Sequence, residues 1–164
     1  MNQPLIRRLD PADAAEFQQF RQYCIAQAPQ SLDITKDEEA NPRAYYQNIL
    51  RTHAVYAAVA QGQLIATSAA ECPQDVNHQH STYIWGIFVR PEYRQQGLAK
   101  SLLETTLADL PERVEIIRTD IMLPNDGMEK LVQAFGFTRA FTIASAWKQG
   151  SRYIDCAVYT LDRR

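Results

Sequence analysis

Basic excess, cysteine pairs and long apolar runs are all missing from this 164-residue chain, and each absence removes a class of function. Lys and Arg number 17 against 19 Asp and Glu, a formal net charge of -2. Both signs are spread along the sequence, so the basic stripe that nucleic acid or an anionic membrane surface demands is absent. Cys24, Cys72 and Cys156 are odd in number, far apart and without Cys-x-x-Cys spacing, which argues against a disulfide framework and against a zinc or redox motif. No apolar run approaches the roughly 20 residues of a membrane span. The opening Met1-Asn2-Gln3-Pro4-Leu5-Ile6-Arg7-Arg8 lacks the basic-then-apolar order of a signal peptide. A cytoplasmic protein with no nucleic-acid, membrane or metal partner is expected. His78 and His80, the nearest approach to a metal-ligand pair, fall in a turn with no Cys or carboxylate cluster beside them.

The apolar content, 46%, suits one domain over residues 1–164 with a single core. Leu5–Leu9 reads as a strand, and Asp10-Pro11 places an N-cap and a first-turn proline before a helix carrying Phe17, Phe20, Cys24 and Ala28. Pro29 to Pro42 reads as an acidic linker with Asp33, Asp37, Glu38 and Glu39, followed by a second short helix with Tyr46, Ile49, Leu50 and His53. Val55–Ala60 and Leu64–Cys72 form a hairpin through Gln61-Gly62-Gln63, and Tyr83–Val89 follows as a strand. Beyond a third helix, Val114–Leu123 reads as a strand, and Met128, Leu131, Val132 and Phe135 mark a helix ending at Gly136. Phe141–Trp147 and Tyr153–Leu161 close the chain as two strands around Lys148-Gln149-Gly150-Ser151.

The residues that carry most chemistry lie between the strand Tyr83–Val89 and its following helix. Ile84 to Val89 is apolar on both alternating faces, as in a strand covered on both sides, and Pro91 removes an amide and ends the ladder. From Gly97 the positions Leu98, Leu102, Thr106 or Leu107, and Leu110 recur at helical spacing, so the first helix amides point back into the turn. Free amides at the positive end of a helix attract phosphate, and Gly97 with small Ala99 permits close approach: a diphosphate cofactor is implied. The segment has no Gly-Lys-Ser/Thr ending and only one of the three dinucleotide-fold glycines, which disfavours ATP and NAD.

The pattern Val89, Pro91, Arg94, Gly97, Ala99 resembles the acetyl-CoA signature of the GCN5-related N-acetyltransferases, the GNAT superfamily. The order of elements is similar to the whole GNAT fold from Leu5 to Leu161. The resemblance implies an α/β (α+β) domain: a mixed, mostly antiparallel sheet of about seven strands, splayed between the fourth and fifth and flanked by about four helices. It implies acetyl-CoA as co-substrate and no metal. The pantetheine arm would pair with the backbone of Ile87, Phe88 and Val89, a strand addition that depends little on side chains. The pyrophosphate would lie on the amides of Gln95, Gln96, Gly97, Leu98, Ala99 and Lys100, with Arg94 or Lys100 adding a charge-assisted contact. Asn125 resembles the residue that contacts the pantetheine arm, and is equally an ordinary helix N-cap.

Amide formation requires a neutral amine, yet an alkyl amine with a pKa of about 10.4 is protonated at neutral pH, so a proton acceptor is needed. The Val89 amide is placed to hold the oxyanion, as the family does. Two familiar side chains are missing: Val132 occupies the position of the usual tyrosine proton donor, and Gly86 a strand position where relatives often carry a carboxylate. Glu71, Tyr83, Tyr153 and Asp155 are the candidate substitutes, against the ordinary reading of strand tyrosines as packing residues. Tyr45, Tyr46, Trp85, Trp147 and Tyr153 are candidates to line an acceptor pocket closed by the acidic linker and the last hairpin, and the linker would draw in a cationic amine. No Cys-His or Ser-His pairing is legible near the signature, so direct attack in a ternary complex is expected rather than an acyl-enzyme. The expectation is transfer of acetyl to a primary amine of a small molecule. A catalytically weak acyl-CoA-binding sensor and a protein or peptide N-acetyltransferase are the alternatives. The exposed sheet edge and long final hairpin leave room for a homodimer.

Overall fold

The computed structural model describes residues 4–28 and 36–164. Seven strands, β1 (Leu5–Arg8), β2 (His53–Ala60), β3 (Gln63–Glu71), β4 (Ser81–Val89), β5 (Ile116–Met122), β6 (Thr138–Gln149) and β7 (Arg152–Asp162), form one mixed sheet ordered β1-β2-β3-β4-β5-β7-β6. Five helices accompany them: α1 (Ala14–Gln27), α2 (Lys36–Ala40), α3 (Pro42–Thr52), α4 (Leu98–Ala108) and α5 (Asp126–Ala134). α2 is one helix more than the sequence suggests, and it lies inside the stretch read as a linker. The parallel pairing of β4 with β5 covers three residue pairs, Ser81 with Ile116 to Tyr83 with Arg118. The antiparallel ladder of β5 with β7 covers seven, Ile116 with Asp162 to Met122 with Cys156.

The chain divides into two compact units, Met1–Cys72 with Gly86–Leu110, and Pro73–Trp85 with Pro111–Arg164. The first holds β1 to β3, the end of β4 and α1 to α4. Its N-terminal turn is capped as its residue types dictate: the Asp10 side chain accepts from Ala12 N at 2.7 Å, and the Asp13 side chain from Asp10 N at 2.9 Å. α4 is pinned at both ends of its buried face. Leu98 and Leu102 pack with Tyr56, Ala58, Ile65 and Ala66, and Thr106 Oγ1 donates to Ser68 Oγ at 2.9 Å. The Tyr56 hydroxyl donates to Asp109, which Arg8 approaches to 3.5 Å.

The acidic reading of the linker is corrected in part. Glu38 is buried, 5% exposed, and accepts the Tyr46 hydroxyl proton, so this carboxylate holds α2 to α3 and is not a solvated or ligand-facing charge. Tyr46 itself packs edge-on against Phe17, with ring centroids 5.4 Å apart, and belongs to the core of this unit. Asp33 and the side chain of Asp37 lie outside the described residues. Tyr46→Phe removes the hydroxyl donor while keeping the ring, and is expected to cost about 1.5–3 kcal/mol, the worth of one hydrogen bond to a charged group. A urea-unfolding midpoint that does not move would show that Glu38 is satisfied without it.

The second unit holds the start of β4, β5, α5, β6 and β7. β5 alternates: Ile117, Thr119 and Ile121 are buried, and Ile116, Arg118, Asp120 and Met122 face the other way. α5 covers the first face, since the Tyr159 hydroxyl donates to Glu129 Oε1 at 2.7 Å and Gln133 reaches the same hydroxyl at 3.3 Å. The helix ends on Gly136, at φ +88°, with Gly136 N bonded to Gln133 O and Phe137 N to Val132 O. The turn of the chain is the one its Gly-Phe ending calls for.

Candidate functional site

In the first unit, the end of β4 is locked before the chain turns. Arg90 N donates to Ile65 O and Arg90 Nε to Leu64 O, both at 2.9 Å, while its guanidinium stacks 4.2 Å above the Tyr23 ring. Phe88 meets Phe20 and Tyr23 edge-on, at 6.1 and 6.4 Å, which makes it a packing residue between β4 and α1. Gly86 carries φ +64° in mid-strand, and its carbonyl accepts from Thr67 Oγ1 at 2.7 Å. A Cβ there would meet nothing within 4 Å. The left-handed backbone, and not crowding, is therefore what favours glycine at this position and disfavours a carboxylate-bearing residue.

Pro91–Tyr93 forms one 3-10 turn, after which Gln95 at φ +60° and Gly97 at φ +79° bend the backbone twice into the left-handed region. Gly97 is the N-cap of α4 and supplies no side-chain cap, and the first bond into the helix is Ser101 N to Gly97 O. Among the described residues the amides of Leu98, Ala99 and Lys100 thus lack both a helical and a side-chain acceptor, at the positive end of an eleven-residue helix. A Cβ on Gly97 would meet nothing within 4 Å, so the space over these donors is open. A diphosphate fits this cradle. Arg94 divides its guanidinium: Nε donates to Val89 O at 3.1 Å and fixes the turn, and its terminal nitrogens have no hydrogen bond among the described residues. Lys100 is exposed and forms no ion pair among the described residues. The predicted cofactor residues Ile87 to Val89 and Arg94 to Lys100 are therefore contiguous in one unit.

In the second unit Asn125 is the N-cap of α5, its Oδ1 accepting from Met128 N at 3.2 Å. Val132, which stands where the usual tyrosine donor would be, is wholly buried. That position belongs to the packed interior, so restoring a tyrosine there is not the neutral change that motif position suggests. Val132→Tyr is expected to destabilise the fold by about 1–3 kcal/mol through overpacking, seen as a lowered thermal midpoint.

The residues put forward as proton-transfer groups are divided between the two units. Glu71 ends β3 in the first unit, exposed, opposite His53, whose Nε2 lies 4.0 Å from Glu71 Oε1. Burial holds the His53 pKa below its ordinary value. Tyr83 and Tyr153 are both in the second unit, yet Tyr83 lies level with Arg118, which pairs with Thr160. Tyr153 lies seven positions along β7 from Thr160, about 23 Å at strand rise. Tyr153 is 59% exposed at the tip of the final hairpin under Lys148. Asp155 is occupied structurally: its Oδ1 accepts from Ser145 N at 2.8 Å and holds the bulge of β6. Of the expected aromatic pocket, Tyr46 is core, and Trp147 lies opposite Ile154 on the hairpin.

The second unit also holds a carboxylate without a marked place in the sequence pattern. Asp120 stands on the β5 face opposite α5, two residues after Arg118, with 23% of its side chain exposed. Its Oδ1 is buried and has no hydrogen-bond partner among the described residues, although Arg118 Nε lies 3.3 Å away. Burial pushes its pKa up and Arg118 only partly opposes this. The Cys156 thiol on β7 is pushed up by burial and by the Asp120 charge. The Arg118 guanidinium lies over the Tyr83 ring at 5.1 Å. The signal was available: in the interior strand β5, two charged residues at a spacing of two share a face that should otherwise be apolar.

The sequence profile of the acetyltransferase (GNAT) family matches residues 17–137. No curated protein matches the chain in sequence. Among solved structures, yncA from Salmonella typhimurium, described as a putative acetyltransferase and solved with its cofactor acetyl-CoA, superposes with a TM-score of 0.82 at 16% identity, covering 99% of this chain and 95% of that one. The ribosomal-protein-S18-alanine N-acetyltransferase of Escherichia coli gives 0.74 at 17% identity over 98% and 94%. Arabidopsis thaliana NAA60, solved with a bisubstrate analogue, gives 0.74 at 15% identity over 98% of both chains.

Proposed function

Since the chain belongs to the GNAT acetyltransferase family, whose members use acetyl-CoA as co-substrate, we propose that it is one N-acetyltransferase domain over residues 1–164 transferring acetyl to a primary amine of a small molecule. The observation that carries the choice of an amine is Asp120, a half-buried carboxylate whose raised pKa makes it a better proton acceptor than an ordinary surface carboxylate. An ammonium group is attracted by the ionised carboxylate and must surrender a proton before it can attack. An alcohol acceptor gains nothing from the first of these.

The cradle supports the co-substrate half of the reading. When bound, acetyl-CoA supplies the activated acetyl group, and this chain's part is to hold it: the amides of Leu98, Ala99 and Lys100 take the diphosphate, and the terminal nitrogens of Arg94 add charge. The backbone of Ile87 to Val89 is offered to the pantetheine arm. Asp120 takes the proton of the amine, and Tyr83 lies beside Arg118 on the same strand pair. Direct attack is preferred because the buried thiols are poor nucleophiles: desolvation raises the Cys24 pKa to about 12 and raises that of Cys156 as well.

Release of the CoA thiol across a panel of polyamines, amino acids, aminoglycosides and short peptides tests the reading, with the product identified by mass. An acetylated small amine is the expected product. Stabilisation by CoA with no thiol release for any acceptor would favour an acyl-CoA sensor, and acetylation of peptides alone would favour a peptide enzyme.

A further inference from the structure

The two charged groups on the outer face of β5 are complementary to a substrate that carries both charges itself. Arg118 and Asp120 stand at a spacing of two on one strand, with Nε and Oδ1 3.3 Å apart. The guanidinium is held over the Tyr83 ring, and 56% of the Arg118 side chain is exposed. Its terminal nitrogens have no hydrogen bond among the described residues, and a guanidinium presents those nitrogens as a fork suited to a carboxylate. Opposite Arg118, the neighbouring strands place Tyr83 and Thr160, neither of them charged at neutral pH. Asp120 is thus the only carboxylate that Arg118 pairs with among the described residues, and the buried Oδ1 does not form a proper hydrogen bond with it.

From this juxtaposition we infer that the acceptor is an α-amino acid or a close analogue, its carboxylate on the fork of Arg118 and its amine against Asp120. The inference rests on the N-acetyltransferase reading and narrows it. An α-amino acid holds its two charged groups on one carbon, a spacing that matches two side chains contacting each other on one strand face. A polyamine brings a second positive charge against Arg118. A peptide N-terminus or an amino-acid amide brings an uncharged carbonyl and leaves the fork unmatched.

The experiment measures kcat and KM with saturating acetyl-CoA for free amino acids, for their α-amides and for the corresponding decarboxylated amines. Free acids are expected to be preferred about 10- to 100-fold in kcat/KM, the worth of a charge-assisted hydrogen bond. Arg118→Gln is expected to raise KM for the acids and so to abolish their preference over the amides, any change in kcat through Asp120 being common to both, and Arg118→Lys to restore part of the preference. A merely structural Arg118 would instead affect acids and amides alike, and that result overturns the inference. So would amides or polyamines turned over as well as the free acids, which leaves the N-acetyltransferase reading standing. Turnover of no amine at all overturns both.

Discussion

Gly97→Glu is expected to weaken acetyl-CoA binding by more than about 100-fold, on the order of two charge-assisted hydrogen bonds, while the far-ultraviolet circular dichroism is unchanged. The position is the N-cap of α4, its φ is +79°, and the space beyond its Cα is open. A glutamate side chain enters that space with a negative charge beside the three unpartnered amides that a diphosphate needs. Gly97→Ala separates the two contributions. It adds only the left-handed strain of a non-glycine residue, about 1 kcal/mol, and no contact, so affinity should fall less than about 10-fold. Titration calorimetry with CoA reads both. Equal affinities for the wild type and the glutamate variant would remove the cradle from the site.

Asp120→Asn is expected to lower kcat about 100-fold or more, the usual contribution of a positioned general base, and to leave acetyl-CoA affinity unaltered. Its effect on stability should run the other way. Burial raises the folded-state pKa of Asp120 above that of the unfolded chain. The unfolded chain therefore ionises first as pH rises, and the native state loses stability across the interval from the ordinary aspartate value up to the raised one. Above that interval the cost is constant. Asparagine never ionises, so the variant's thermal midpoint should gain on the wild type through this same interval and stay level or higher at neutral pH. The groups facing the carboxylate are Arg118 on its own strand and the Cys156 thiol on β7, both retained in the variant. A variant that is both fully active and less stable would make Asp120 a structural residue.

The acid limb of the pH-rate profile is expected to belong to the same carboxyl. Activity should rise with pH as Asp120 ionises, through a value above the ordinary aspartate range, and the limb should vanish in Asp120→Asn. A limb that persists in the variant would assign it to another group.

The cradle was legible in the residue types because its demands are local. Pro91 ends a ladder, Gly97 takes a left-handed turn, and Leu98, Leu102 and Thr106 set one buried helix face, all within one short stretch of sequence. The same holds for the Asp10-Pro11 start and for the Gly136-Phe137 helix end, where single residues satisfy the backbone's own requirements. The family, and with it acetyl-CoA, could be read from these local signatures alone.

Which side chain meets which was decided by tertiary structure. Glu38 looks like one charge in an acidic run, and only the packing of α2 on α3 shows it buried under the Tyr46 hydroxyl. Val132 sits at a motif position, and only the burial of α5 turns that position into core. Arg118 and Asp120 stand out as charges at a spacing of two on an interior strand, but nothing in Arg118-Thr119-Asp120 tells that the carboxylate oxygen is desolvated; strand register and the strands on either side determine that. The physical reason is the same each time. Backbone geometry depends on neighbours in sequence, whereas desolvation and charge pairing depend on neighbours in space, which the strand order β4-β5-β7 supplies.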